Sequence, residues 1–522
     1  MSDRHRPVLI VGGGLTGLST AVFLAWHGVE ATLVERHPGT SEHPKARAIN
    51  PRTMEVFGAV GMAEAVRAGR SPISGNTDLV HVETLAGHER VRMPSATPEA
   101  IDRISPAGWT LIDQNQLEPI LRRRAEQVGA DVRFGTELTA LTQTADGVRA
   151  TLRERSSGRD YELTADHLVA ADGSRSPLRA LLGIGHHGPG VITELVSFFF
   201  DADLTEALRG RRIIAAYVNN AEVRGTIIPL DNDRRWVMNV SYFPDRGQRA
   251  EDFDDERCTA IVRAAVGVPD LPVTIAGGSR PGWDISARVA DRMSAGRVLV
   301  AGDAAHVMPP TGAFGASTGI QDAYNLAWKL ALVHRGVAGP ALLDSYDQER
   351  RPVAERTVEQ AMLRFAIREG KKYEDVADRM VSEETMTFGY CYPRGAFVPE
   401  PGTDGALEDP DAPGGRPGAR APHVALGDTS TIDLFGRGFV VLASGADPDW
   451  AAAAAGAGSK FGVPVEAHVI DPGVPGFADR YGLRPGGASL IRPDGFVAWR
   501  TARRPADPTG ALTEALRTVL AV

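Results

Sequence analysis

Pro7-Val8-Leu9-Ile10-Val11-Gly12-Gly13-Gly14-Leu15-Thr16-Gly17 opens the chain with a short apolar run that passes straight into a glycine turn. An apolar run of this length, bounded by glycine, predicts a buried strand over Pro7–Val11. Leu15–Trp26 carries Leu18, Val22, Leu24 and Ala25 at roughly helical spacing and predicts a helix. Gly28 can end that helix, because glycine accepts the left-handed cap conformation. Ala31–Val34 predicts a second strand, closed by Glu35. In a βαβ unit of this kind the pattern GxGxxG lets the backbone approach a pyrophosphate at the helix N-terminus, and an acid ending the second strand accepts ribose hydroxyls. Gly12, Gly14, Leu15, Thr16, Gly17, Glu35 and the adjoining Arg36 are therefore candidate dinucleotide-binding residues. A glycine turn alone would suit any α/β protein. Here strand, turn, helix, strand and acid follow in order.

Two further segments repeat the theme of an apolar strand that ends in a polar turn. Leu168–Ala170 leads into Ala171-Asp172-Gly173-Ser174-Arg175-Ser176-Pro177-Leu178-Arg179, where Asp172 and Gly173 make a tight turn and the arginines could face phosphate. Val298–Ala301 leads into Gly302-Asp303-Ala304-Ala305-His306, then Pro309-Pro310 and the loop Thr311-Gly312-Ala313-Phe314-Gly315-Ala316, with a helix expected to begin near Ser317. A carboxylate at a strand end can accept hydrogen bonds from polyol hydroxyls, and loop amides at a helix N-terminus stabilise negative charge.

Elsewhere the chain reads as follows. Gln116–Val128 and Thr318–Val333 predict helices. Segments 195–200, 212–217 and 235–240 predict strands of a sheet, with Asp231-Asn232-Asp233 as a turn. Residues 399–422 are rich in Pro, Gly and Asp and read as a connection. Strands are expected at 438–443, 465–470, 488–491 and 497–500, with helices starting at Asp449 and spanning 509–520.

The 522 residues exceed one core and predict two or three domains. A net charge of −9 argues against the basic face of a nucleic-acid binder. Cys258 and Cys391 are the only cysteines and form no CxxC, so neither a disulfide framework nor a cysteine metal site is expected. Residues 1–6 lack the apolar stretch of a signal peptide, and no run of about 18 apolar residues could span a membrane. The expectation is a cytoplasmic protein with no metal, nucleic-acid or membrane partner.

The order and spacing of the three motifs resemble the class A flavoprotein monooxygenases, the family of para-hydroxybenzoate hydroxylase and phenol hydroxylase, over about residues 7–395. The resemblance implies a fold of mixed α/β and α+β class: a Rossmann-like FAD-binding domain (1–180 and 280–395), a β-sheet substrate domain (181–279, with a further part near 75–110), a linker (396–422) and a thioredoxin-like domain lacking CxxC (423–522). It implies FAD contacts for Asp172, Gly173, Gly302, Asp303, Pro309, Gly312, Gly315 and Ala316. Lys45-Ala46-Arg47-Ala48-Ile49-Asn50 and Asp113-Gln114-Asn115-Gln116 resemble flavin-contacting stretches, which adds Arg47 and Gln114. Ser317 departs from the asparagine of many relatives. Chain length, the C-terminal domain and Thr387-Phe388-Gly389-Tyr390 resemble actinomycete aromatic-polyketide hydroxylases of the aklavinone and tetracenomycin type.

The implied reaction is hydroxylation of a bulky aromatic phenol with NADH or NADPH and O₂, through a C4a-hydroperoxyflavin, by a monomer or homodimer. The alternatives are Baeyer–Villiger oxygen insertion into a polycyclic quinone and a non-enzymatic flavin-binding assembly protein. A base that helps ionise the phenol would raise ring nucleophilicity, and Tyr217 and Arg364 are the candidates. Trp109 and Phe314 could line an aromatic pocket, or pack in the core. His306 is expected to make a structural hydrogen bond.

Overall fold

The computed structural model describes residues 5–94, 101–278, 280, 282–401, 404–405, 407–445 and 449–522. His5–Val11 lies inside a largely parallel sheet in the order Ser294–Ala295, Val298–Val300, Arg159–Ala170, His5–Val11, Ala31–Glu35, Asp131–Phe134. A hairpin of Thr136–Gln143 and Val148–Glu154 extends it from Arg159–Ala170. The pairing register sets Val300, Ala170, Val11 and Val34 in one cross-strand row. The chain therefore leaves the sheet side by side at Gly12, Arg36, Ala171 and Ala301. Open α/β sheets bind ligands outside such strand ends, where the connections diverge to opposite sides.

The helices Leu15–Trp26 and Phe314–His334 cover this sheet, and Leu18, Val22 and Phe23 share one apolar core with Ile320, Ala323 and Ala327. The first helix has the bounds its spacing predicts. The second begins at Phe314, earlier than expected, because Ala313 takes a left-handed φ of 53° and turns the chain directly into it.

The second sheet runs His306–Val307, Gly282–Ala290, His186–Asp201, Arg235–Tyr242, Arg224–Pro229, Ile213–Asn219, Asp78–Val82, Glu89–Pro94. Strand alternation gives it two characters. Val196, Phe198, Phe200, Trp236, Met238 and Val240 face a core backed by the helix Asp255–Val266. Leu195, Ser197, Val237 and Asn239 face the opposite way, into a cleft. One sequence expectation is corrected here. Gly282–Ala290 pairs along His186–Asp201, so this sheet continues past residue 279 and the chain re-enters the first sheet at Ser294. Arg224–Pro229 adds a further strand, paired on both sides.

The C-terminal sheet runs Val465–Ile470, Phe439–Ser444, Ala488–Ile491, Val497–Thr501, parallel at the first pair and antiparallel afterwards. Asp449–Phe461 and Pro508–Leu520 pack together on one face, which gives a thioredoxin-like arrangement. The segment expected as a linker is tightly packed at its end. Ala419 and Ala421 are buried, and Arg420 sends its guanidinium onto buried Glu55.

A second buried joint lies at the turn after Ile491. Arg492 pairs with Glu349 of the long helix Asp344–Arg368 and with its own neighbour Asp494. Asn325 and Lys329, on one face of Phe314–His334, also reach Glu349 at 2.6 and 2.8 Å. Burial alone would raise the pKa of Glu349, but the charges of Arg492 and Lys329 outweigh it and hold the carboxylate ionised. Among the described residues no helix is long and apolar enough to cross a membrane, and no histidine, cysteine or carboxylate group is clustered to hold a metal.

Candidate active site

One cleft of about 2230 Å³ runs from the glycine turn to the floor made by the second sheet. Ordinary ligand pockets span roughly 300–1,000 Å³, so this cleft has room for a dinucleotide and a bulky second ligand together.

At the dinucleotide end, Gly12, Gly14, Leu15, Thr16, Glu35, Arg36, Gln114, Asp172, Gly173 and Arg175 line the cleft. Glu35 accepts hydrogen bonds from the N–H groups of Gly13 (2.7 Å) and His37 (2.8 Å), which fixes its carboxylate beside the turn. The glycines differ in what they do. Gly12 takes φ +111°, a conformation that disfavours a side chain. A Cβ on Gly17 would stand 1.9 Å from the Gly12 carbonyl oxygen, so Gly17 brings helix and turn together and lies outside the lining. A Cβ on Gly14 would meet nothing nearer than Glu118 Oε1 at 3.7 Å, so its missing side chain keeps the cleft open.

The other two motifs are tied to each other. Asp172 accepts from Ser176 Oγ (2.6 Å) and the Leu178 N–H (3.0 Å). Arg179, expected to face phosphate, instead donates to the Ala304 carbonyl at 2.7 Å and so braces the two motifs. Asp303 opens onto the cleft with no hydrogen-bond partner among the described residues, and burial raises its pKa despite nearby His306 and Lys45. Its neighbours are locked. Asp322 accepts from the Gly302 N–H (3.1 Å) and from Arg350 (2.8 Å), and pairs with His306 at 2.6 Å. His306 thus has the structural role its surroundings suggest. Gly302 is buried beneath Thr16 and does not line the cleft.

Pro309, Gly312, Gly315 and Ala316 line the middle of the cleft. The Phe314–His334 helix has no side-chain cap, which leaves its first N–H groups for a ligand. Ser317 points the other way, where its hydroxyl accepts from the Asn50 N–H at 3.2 Å. Arg47 lines the cleft but is engaged, donating to Asp113 (2.6 Å) and to the Pro229 carbonyl (2.8 Å), so it joins the dinucleotide end to the floor.

On the floor the register aligns Ser197, Asn239, Thr226, Tyr217 and His81 as successive cross-strand neighbours. Apolar Leu195, Ile228, Val237, Ile285, Trp109 and Met308 border this polar row. Arg368, the last residue of its helix, lies 4.1 Å above the Tyr217 ring and donates to Thr226 Oγ1 at 3.0 Å. Burial lowers the pKa of Arg368, with Tyr217 opposing. Of the two candidates, Tyr217 lines the cleft and Arg364 does not. One turn earlier, it donates to the Gln360 and Val381 carbonyls, stacks on Phe314 and lies outside the lining. Phe314 is core, packed with Ala361 and Met386, whereas Trp109 lines the cleft. Arg368, Asn239, Ser197 and Trp283 escaped sequence reasoning. The strand period places Asn239 opposite buried Trp236 and Met238, but only the register brings it beside Ser197.

A glycine-rich dinucleotide turn that opens onto a sheet-floored, largely apolar chamber defines a two-ligand oxidoreductase of the flavin-hydroxylase type. Comparison with known proteins gives the same class. Residues 5–361 match the family model described as FAD binding domain, and residues 414–521 match aromatic-ring hydroxylase, C-terminal. The chain is 39% identical to aklavinone 12-hydroxylase from Streptomyces purpurascens over the full length of both. It is 41% identical to 4-methyl-5-nitrocatechol 5-monooxygenase from a Burkholderia species, covering 99% of this chain and 98% of that one. A crystal structure of aklavinone-11 hydroxylase with FAD and aklavinone superposes with a TM-score of 0.92 at 39% identity over all of both chains. The chain belongs to the FAD-dependent aromatic-ring hydroxylases and is an FAD-dependent monooxygenase. The open cradle at Gly14 and the unpartnered Asp303 carboxylate fit that cofactor.

Proposed function

We propose that this enzyme hydroxylates a polycyclic, polyketide-like phenol, using NADH or NADPH and O₂. The observation that carries the reading is the continuity of the cleft from the glycine turn to the polar row under Arg368. Bound FAD would supply the redox chemistry that couples nicotinamide oxidation to O₂, with one oxygen atom going to an electron-rich ring carbon and the other leaving as water.

The chain supplies binding, orientation and a dry chamber. Backbone N–H groups of Gly14, Leu15 and Thr16 would hold the pyrophosphate beside the Gly12 turn, Glu35 a ribose, and Asp303 the ribityl hydroxyls. Arg36, Arg47 and Gln114 would contact the rest of the dinucleotide. The amides near Gly312, Gly315 and Ala316, with Pro309 beside them, would face the reacting ring and stabilise negative charge on it. Asp172, Gly173 and Arg175, which line the same cleft, would receive the transient nicotinamide dinucleotide.

At the floor, Arg368 and Tyr217 act on the substrate. A guanidinium over the tyrosine ring lowers the cost of an ionised phenol beside it, and an ionised phenol has a more nucleophilic ring. The apolar walls exclude water from the transfer. The test is NADPH oxidation by FAD-loaded enzyme, with and without hydroxylated polycyclic aromatics, while product mass is followed. Substrate-stimulated oxidation with gain of one oxygen is expected. Oxidation that no phenol stimulates, or an oxygen inserted into the ring framework, would overturn the reading.

A further inference from the structure

Three side chains on the cleft floor are joined in one directed hydrogen-bonded sequence. The Trp283 indole N–H can only donate, and it donates to Ser197 Oγ at 2.7 Å. Ser197 keeps its own proton, and its hydroxyl donates to Asn239 Oδ1 at 2.6 Å. The carboxamide oxygen is thus turned toward Ser197, and Nδ2 is left with two N–H groups and no acceptor among the described residues. All three residues line the cleft, bordered by apolar Leu195, Val237 and Ile285.

We infer that Asn239 is a specificity-determining residue, held as an obligate hydrogen-bond donor that selects substrates carrying a carbonyl-type oxygen on the edge facing this strand. A donor left unmatched among apolar walls costs free energy, whereas a matched acceptor repays its desolvation, so the site discriminates between analogues of equal size. Neighbouring strands lie about 4.8 Å apart, so Asn239 and Tyr217, two strands distant, stand roughly 10 Å from each other. A multi-ring substrate can meet both, with a phenolic oxygen under Arg368 and a ketone or quinone oxygen at Asn239. This assignment rests on the aromatic-substrate reading above and narrows it to oxygenated polycyclic ketones and quinones.

The experiment uses the FAD-loaded full chain and two probes of matched ring skeleton, 2-hydroxy-9,10-anthraquinone and 2-hydroxyanthracene, with binding read from perturbation of the flavin absorbance. Wild type is expected to bind the quinone at least tenfold more tightly. Asn239→Leu should abolish that preference while leaving hydroxyanthracene binding within about twofold. Comparing both probes in each variant cancels their different phenol acidities. Ser197→Ala, which keeps Asn239 but removes its anchor, should erode the preference severalfold and carries the test if Asn239→Leu fails to fold. A wild type without preference, equal weakening of both probes in the variants, or a preference that survives both substitutions overturns the assignment. Turnover separates this inference from the reading beneath it. Preference without quinone-stimulated NADPH oxidation sinks the hydroxylase reading alone, and stimulation without preference sinks the role of Asn239 alone.

Discussion

Arg492 and Glu349 form a bidentate ion pair at 2.6 and 2.9 Å with neither side chain exposed, although one belongs to the C-terminal domain and the other to a helix of the cofactor domain. Glu349 is followed by Arg350, which grips Asp322, and Asp322 holds the N–H of Gly302 next to Asp303. A continuous run of buried charge thus connects the C-terminal turn to the polyol end of the cofactor site.

Removing one partner of a buried pair leaves an uncompensated charge and costs about 3–5 kcal/mol. Arg492→Met should therefore lower the melting temperature of the apoprotein substantially. Calorimetry of the variant beside wild type checks this, and an unchanged transition would show the two domains to be energetically independent.

Two glycines of one turn should fail differently. Gly17→Ala drives a Cβ into the Gly12 carbonyl and should destabilise the protein whether or not flavin is added. Gly14→Val has room in the protein itself, so it should fold with a near-native melting temperature yet retain little flavin. Far-UV circular dichroism and the flavin-to-protein absorbance ratio distinguish the two outcomes.

Asp303 makes no hydrogen bond that holds the fold together among the described residues, so Asp303→Ala should spare apoprotein stability. Flavin affinity should fall at least tenfold, as measured by equilibrium dialysis. Wild-type affinity would remove Asp303 from the cofactor site.

Arg368 and Arg364 sit one helical turn apart with opposite expectations. Arg368→Ala should cut kcat/KM for a phenolic substrate by about a hundredfold, roughly 2.7 kcal/mol of transition-state stabilisation. Arg364→Ala should lower thermal stability and leave turnover within a fewfold. Steady-state NADPH oxidation with product quantified decides between them.

His27 gives a pH dependence. Burial, with Arg335 and Arg437 nearby, lowers its pKa from 6.5 to about 4. Below pH 6.5 the unfolded chain takes up a proton that the folded protein refuses until about pH 4, so the unfolded state is favoured as pH falls through this window. The loss approaches about 3 kcal/mol and levels off below pH 4. His27→Gln should flatten this part of the stability profile, measured by urea titration at pH 7, 6 and 5.

Much of the dinucleotide half was legible because its signals are local. Strand, glycine turn and helix occupy adjacent residues, and each chemical requirement falls within one turn of the next. The floor was less legible because its identity depends on register. Tyr217 could be placed on a strand, but nothing in its own segment says that Thr226 and Asn239 lie beside it. Arg368 sits on a helix whose other arginines look the same in sequence, and only its approach to Tyr217 distinguishes it from Arg364. The connection 396–422 reads as a linker by composition, yet its end is drawn into the core because Arg420 meets Glu55 across the domain boundary.

The floor of the chamber is one face of a sheet whose other face is filled by Phe198, Ile227, Trp236 and Met238. Each of five adjacent strands contributes one residue to the polar row, and the flanking residues that maintain the fold point away from it. On the proposed reading, substrate preference is written in a register of separate positions, each open to exchange without disturbing the foundation beneath. Selection acting on Ser197, Asn239, Thr226 or Tyr217 would then move the enzyme among ring systems one step at a time, while the cofactor end stays as it is.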